Sequence, residues 1–394
     1  MTYLQNILRW LPRVAPDCEV EVCLPTATRF QLSRLALPTS VSLWEYPYRS
    51  TDGIARLFFD NVQLPAHLRK IDADVLFSST GFASLYAPCP QVLLIRNPVY
   101  FDPLFRQAYH SLGRSTSRHT LRRWLSVLSA RVSDFVIFPT EDMRSAVGKY
   151  VQLNSAKVAA IHYGFDETTF VGNDEASPNF IRLLDEWRSD GCFILLNVST
   201  YAVHKNFETV AEALPDLKSR GFRLRLLTTI SRDKTSDLTE YERLRSRVRE
   251  LEIEEEFVEL GYVPYQHLFQ LYQRADAFIF PSFTESFGHS MVEAMAAGLP
   301  VVAAGTGVNR EVCGSAGRYF DTFDTKDCAD KIAQVIANPS LREEMRRASL
   351  ERASHFSWER YANDLMDVFR LATSDRRRTL SVFPGQRVGE GVGS

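Results

Sequence analysis

From residue 19 onward the chain alternates short apolar runs with helix-periodic segments, and it completes this pattern twice. Short apolar runs bounded by polar or glycine and proline residues are what strands look like when both faces are covered. Helical segments between them supply the crossovers that parallel strands require. In the first half the runs predict strands at 19–24, 41–46, 74–78, 91–95, 134–138 and 157–162. Helical periodicity occupies 3–11, 54–71, parts of 104–132, and 140–150, where Thr140 is placed to cap. Between 164 and 191 the text turns polar and broken, with Gly172-Asn173-Asp174 and Ser177-Pro178, and reads as a connection. The second half predicts strands at 193–198, 223–228, 257–260, 277–280, 301–304 and 317–320. Its helices read 207–219, 239–251, 265–274, one from 289, then 326–338, 340–354 and 358–372. Two successive open α/β domains follow.

At 394 residues two cores are expected, and 45% hydrophobic with 24% charged residues is ample for both. No apolar run reaches the roughly 18 residues of a membrane span. The opening MTYLQNILRWLPRVAPDCEV lacks the layout of a signal peptide. Six cysteines show neither metal-ligand spacing nor a dense disulfide pattern, which suits a reducing cytoplasm. Charge is uneven. Residues 1–165 hold 18 Lys/Arg against 12 Asp/Glu, and the remainder 28 against 36. Between 103 and 133 stand Arg106, Arg114, Arg118, Arg122, Arg123 and Arg131 with no acid, interleaved with leucines and Trp124. The segment Arg106–Arg131 reads either as a solvated helix face or as a peripheral contact with anionic lipid or an anionic acceptor.

The chemistry concentrates in 281–302, PSFTESFGHSMVEAMAAGLPVV. Glu285 lies in the loop after the predicted strand 277–280. Ser286-Phe287-Gly288 opens a helix near His289 that carries Glu293, and Gly298 and Pro300 stop it. Strand, glycine turn and helix aim free amides and the positive helix end at an anion. The two carboxylates can then take hydroxyls of the same ligand, as a nucleotide-sugar would offer; Glu293 suits a ribose, since one carboxylate accepts from two hydroxyls. Two glutamates at this spacing also occur on ordinary solvated helices. The second loop, Val198 to Phe207, follows the strand 193–198, so it faces the crevice where α/β ligands bind. Lys205 there would offer its ammonium to a diphosphate, an awkward position for a purely structural cation beside a helix start.

Pro-Ser-x-x-Glu-Ser-x-Gly followed by Glu-Ala-Met-Ala-Ala-Gly-x-Pro-Val-Val resembles the donor-binding signature of the large retaining GT-B glycosyltransferase family, family 4. The resemblance implies an α/β GT-B architecture: two Rossmann-like domains facing each other across a cleft. Residues 1–164 would form the acceptor-side domain and 165–356 the donor-binding domain. A last helix, about 357–372, would cross back to the first domain; apart from the resemblance, the Gly- and Arg-rich text without periodicity reads 373–394 as a disordered tail. The resemblance also implies Glu285 and Lys205 as the catalytic pair. Ser199, Thr200, Asn206, Tyr262, Val263, Ser286, Phe287, Gly288, His289 and Glu293 would bind donor, with the turn after Leu260 reading the base through backbone groups. Arg96, Asn97 and Gly81 would line the acceptor side. No cofactor or metal is implied beyond the nucleotide-sugar co-substrate, whose base (UDP, GDP or ADP) backbone readout leaves open.

The sequence departs from the family in three places. Ser199 and Thr200 stand where relatives carry an Arg ahead of the Lys, and Arg96-Asn97 where many place a His. The pattern Tyr3 to Leu11 resembles the helix that in relatives follows a first strand, so the first domain is expected to lack that strand. The expected activity is retaining transfer of a hexose to a saccharide or lipid-linked acceptor in cell-surface polysaccharide or glycolipid synthesis. A non-catalytic sugar-nucleotide-binding remnant is the alternative.

Overall fold

A computed structural model describes residues 2–26, 37–47, 53–165, 179–235 and 237–381. In the first half, helix α1 (Thr2–Val14) precedes strands β1 (Val20–Pro25) and β2 (Val41–Tyr46). Gly53–Phe58 continues through a π-helical segment, Phe59–Gln63, into Leu64–Lys70, and together they form α2. Then come β3 (Leu76–Ser78), β4 (Gln91–Leu94), α3 (Pro103–Ser111), α4 (Ser117–Val132), β5 (Phe135–Phe138), α5 (Glu141–Gly148) and β6 (Val158–Ala160). The strands make two separate parallel sheets, β1-β2 and β3-β4-β5-β6. Alternation along the strands sorts the core into two layers. Val92 and Leu94 meet α1 through Tyr3, Ile7 and Leu11, and Val22 and Leu24 meet it through Leu8. On the opposite face, Cys23 and Trp44 pack beneath α2, and Leu93 and Val136 pack beneath α4 and α5.

The second half runs α6 (Asn179–Ser189), β7 (Phe193–Asn197), α7 (Phe207–Ser219), β8 (Leu224–Thr228), α8 (Leu238–Glu250), β9 (Phe257–Glu259), α9 (Tyr265–Arg274), β10 (Ala277–Phe280), α10 (His289–Ala296), β11 (Val301–Ala304), α11 (Gly307–Cys313), β12 (Gly317–Phe320), α12 (Thr325–Ala337), α13 (Pro339–Ala353) and α14 (Trp358–Ser381). Its six strands form one parallel sheet in the order β12-β11-β10-β7-β8-β9. Every residue of β10 and β11 is buried, as the unbroken apolar runs require. Helix α14 crosses back onto the first half. Tyr361 and Tyr3 join hydroxyls at 2.6 Å, and Phe369 meets the ring of Phe77 in β3.

Four expectations are corrected. The polar connection 164–191 contains helix α6, whose Ile181 and Leu184 are buried; Gly172 to Ser177 lie outside the described residues. The 104–132 pattern is two helices, parted at Gly113, whose φ of 69° suits a residue without a side chain. Gly307–Cys313 is helical and was not foreseen. Helix α14 continues to Ser381 rather than ending at Ala372, so 373–381 is helix and not loose tail; 382–394 lie outside the described residues.

Candidate active site

Strand order in the second sheet reverses between β10 and β7, and the loops beyond their C-terminal ends frame the crevice that such a reversal opens. The β7 loop turns through a 3₁₀ segment, Val203–Lys205, and the β10 loop carries Glu285. These loops bring the two proposed catalytic side chains together: Lys205 Nζ lies 2.5 Å from Glu285 Oε1. Both are largely enclosed, at 19% and 14% side-chain exposure, so their charges act in a medium of low polarisability. Burial alone would raise the Glu285 carboxyl. The Lys205 ammonium and the Ser282 hydroxyl outweigh burial and hold the pKa below its ordinary value. His204 is pushed down to about 4, by burial first and then by the neighbouring ammonium, and stays neutral near pH 7.

Beside the pair, α10 begins after Gly288, which supplies no side-chain cap for the first amides. Gly288 sits at φ 84°, and a Cβ there would stand 2.5 Å from Met291 Cε. The left-handed backbone disfavours any side chain, and one placed there would also push the flexible Met291 tip aside. His289, at the helix start, stacks on Tyr163 with centroids 5.1 Å apart. Its pKa falls to about 4, by burial first, with Glu285 and Arg96 both within electrostatic reach. Arg96 stands exposed, its guanidinium carbon 5.2 Å from the centroid of the Tyr3 ring.

Glu293 occupies a different setting. It is 8% exposed, and its oxygens accept from Tyr265 Oη at 3.2 Å and Tyr272 Oη at 2.9 Å. Burial raises its pKa to about 7, although the two phenols pull it down. Beyond it Tyr262 is 63% exposed, with the Lys234 ammonium 5.1 Å over its ring, while Val263 is buried. Ser199 is half-buried and Thr200 exposed at the mouth of the β7 loop; no cation stands at either position.

Several expected ligand contacts are absorbed by the protein. Asn206, in a left-handed conformation, donates its amide to the carbonyls of Pro281 and Thr322 and accepts from Thr209, so it ties the two loops together. Phe287 is buried among His162, Tyr163, His289 and Phe356. The Ser286 carbonyl receives Thr140 Oγ1 from the first half. Asn97 caps the turn Pro98–Tyr100, and Gly81 is buried with its carbonyl bonded by Ser126. Sequence reasoning missed Tyr265 and Tyr272, and it missed the ties across the cleft. Thr284 donates to Asp102 at 2.5 Å, and Arg114 reaches Asp237 at 2.7 Å. Glu311 accepts from the amides of Glu141 and Asp142 and pairs with His162, each at 2.8 Å.

Two facing α/β domains, a second-domain crevice at a strand reversal and a helix that crosses back together define the GT-B class. Residues 2–169 match the model for Glycosyltransferase Family 4, and residues 185–352 match the model for Glycosyl transferases group 1. The chain therefore belongs to glycosyltransferase family 4, the group 1 glycosyl transferases. Anabaena HepE, solved with UDP and glucose, shares the fold at TM-score 0.66 and 19% identity over 96% of this chain and 95% of that one. A D-inositol 3-phosphate glycosyltransferase of Acidothermus cellulolyticus is 30% identical over 205 residues, 51% of this chain and 45% of the relative. An Escherichia coli O-antigen chain mannosyltransferase B is 38% identical over 112 residues, 28% of this chain and 29% of the relative. The matched stretches thus span less than half the length of these two curated relatives.

Proposed function

We propose that the protein transfers a hexose from a nucleotide-sugar, with retention at the anomeric carbon, to a saccharide or lipid-linked acceptor. The observation that carries this is the Lys205–Glu285 pair, enclosed at the strand reversal beside the uncapped start of α10. In this reading a donor diphosphate lies against the first amides of α10 and the Lys205 ammonium. Glu285 is freed from half of its pairing when the ammonium turns to phosphate, and it takes sugar hydroxyls. The bond between the anomeric carbon and the diphosphate oxygen breaks while the acceptor oxygen bonds the same face, and the acceptor proton passes to the departing diphosphate. Lys205 and the amides meet the charge that grows there. Tyr262 offers an exposed ring at the base end and Glu293 lies toward the ribose. Arg96 faces the acceptor.

The HepE complex with UDP and glucose and the mannosyltransferase relative support a hexose donor, and the O-antigen name supports a surface-polysaccharide product. We place the enzyme in the cytoplasm, peripheral to the membrane that would present a lipid-linked acceptor. The base stays open among UDP, GDP and ADP.

The test is binding and turnover of a nucleotide-sugar panel by the parent chain, Lys205→Ala and Glu285→Ala. Each substitution is expected to lower transfer or donor hydrolysis on the order of 10²–10³-fold, the usual cost of losing one group that stabilises a charged transition state. Donor binding by the parent chain with no turnover on any acceptor tried would instead establish the non-catalytic reading.

A further inference from the structure

The first half carries an outer face that the donor chemistry leaves unused. Helices α2 and α4 cover the same side of the two first-half sheets, opposite α1. The loop 81–86 is pinned between them. Asn61 of α2 accepts from the Leu85 amide, and Ser126 of α4 donates to the Gly81 carbonyl. From this layer Leu57 and Phe58 of α2, Leu85 and Tyr86 of the loop, and Leu121 and Trp124 of α4 all point outward, at 43–65% exposure. Single exposed apolar residues need no account, but large ones contributed by three adjoining elements form a patch.

On the α4 side of the patch the charge has one sign, and on the α2 side Asp60 is buried and paired with Arg56. Of the arginines in the basic segment, Arg106 bonds Tyr150, Arg114 pairs with Asp237, and Arg123 stacks on Tyr150. Arg118, Arg122 and Arg131 remain exposed on α4, Arg122 with one nitrogen donated to Tyr100 Oη at 3.4 Å, and no acidic residue occurs between 103 and 133. The structure thus narrows the basic surface from six arginines to three and sets them beside the apolar patch. A second copy meeting this face through a two-fold axis would bring like charges together. Leucines, a Trp, a Tyr and arginines whose stems lie along apolar surface match the boundary between lipid headgroups and acyl chains.

We propose that the α2–loop–α4 face seats the protein on an anionic lipid surface, with Leu57, Phe58, Tyr86, Leu121 and Trp124 entering the interface and Arg118, Arg122 and Arg131 meeting lipid phosphates. The proposal deepens the membrane-peripheral reading and rests on it for its purpose. Lipid binding is measured without donor, and donor turnover without lipid, so either can fail alone.

The experiment is flotation of the full chain with vesicles of phosphatidylcholine, and with vesicles of phosphatidylcholine and phosphatidylglycerol in equal amounts. Binding is expected to the anionic vesicles alone and to weaken with salt. Leu121→Ser with Trp124→Ser should lower it at least tenfold, and each of Arg118→Gln, Arg122→Gln and Arg131→Gln should lower it about fivefold. Quenching by brominated lipid should reach the parent's tryptophan fluorescence and largely disappear in Trp124→Phe, a variant mild enough to keep the fold. Failure of the parent chain to float overturns the proposal, as does quenching that persists in Trp124→Phe. A lipid-free dimer that dissociates in the Leu121/Trp124 variant overturns it too, by making the face a contact between copies.

Discussion

The two halves of the molecule use the same architecture with different completeness. In the second half one six-stranded sheet is covered on both faces, and its central strands have no exposed residue. In the first half the described strands divide into two sheets; β4 and β5 are as fully buried as β10 and β11, but the separate pair β1-β2 and the edges β3 and β6 are mostly half-buried, as the edge strands β9 and β12 are in the second half. The Lys205–Glu285 pair therefore hangs on a rigid frame, while the first half is held largely by what crosses to it: α14, Asp237, Thr284 and Glu311. The difference teaches that precision in the proposed donor site comes from its own sheet and precision in the proposed acceptor side comes from the interface.

The largest expected effect breaks or confirms that contrast directly. Leu195→Ala in β7 empties a fully buried site and should cost about 3–5 kcal/mol. Val22→Ala in half-buried β1 should cost about 1 kcal/mol. Urea unfolding of the two variants measures both, and equal costs would refute the idea of a firm half and a loosely built half.

The same contrast explains what could be read from sequence. All twelve strands among the described residues were legible, because buried parallel strands are short apolar runs with polar flanks, and 41–46, 277–280, 301–304 and 317–320 were located to the residue. Helix α6 was hidden by the polar text around it, although Ile181, Leu184 and Trp187 keep helical spacing. Helix α11 is short and starts on a glycine, so it read as loop. In the site, the placement of Lys205 and Glu285 at one crevice followed from loops after apolar strands and from the resemblance, but their direct pairing did not. The fates of Asn206 and Phe287 did not, because their partners (Thr322 for one, His162 and Phe356 for the other) come from distant parts of the chain. A short-range pattern cannot say whether a loop residue faces ligand or protein.

A second test concerns Glu293, the acid that the firm half buries at its own expense. Its pKa of about 7 lies above the ordinary 4.5, so the ionised form is the one that burial penalises. The penalty is absent below about pH 4.5, grows as pH rises, and is complete above about pH 7. Glu293→Gln removes the titration and leaves an acceptor for one of the two phenols. Relative to the parent, the variant should gain on the order of 3 kcal/mol between pH 5 and pH 8, read from urea unfolding at each pH. A gap between the two proteins that stays constant over this range would mean that Glu293 titrates normally. Nucleotide-sugar binding by the parent should also strengthen through pH 7 if the carboxylate takes ribose hydroxyls, and this dependence should vanish in the variant.

The smallest effect lies at the interface itself. The α5 start belongs to the first half, yet its amides are capped by Glu311 from the second, and its own cap, Thr140, also donates to the Ser286 carbonyl beside Glu285. Burial acts to raise the Glu311 carboxyl, but His162 and the two amides overcome it and hold the pKa below its ordinary value. A depressed carboxyl stabilises the folded state above about pH 4.5 and loses that contribution as pH falls through its folded pKa. Glu311→Gln keeps one acceptor and loses the charge at the helix start, so it should cost about 1 kcal/mol at pH 7 and less in acid. Because the lost bond joins the halves, the variant should raise KM for the acceptor more than KM for the donor. An equal rise in both would place the effect in the donor frame and undo the division of labour between sheet and interface.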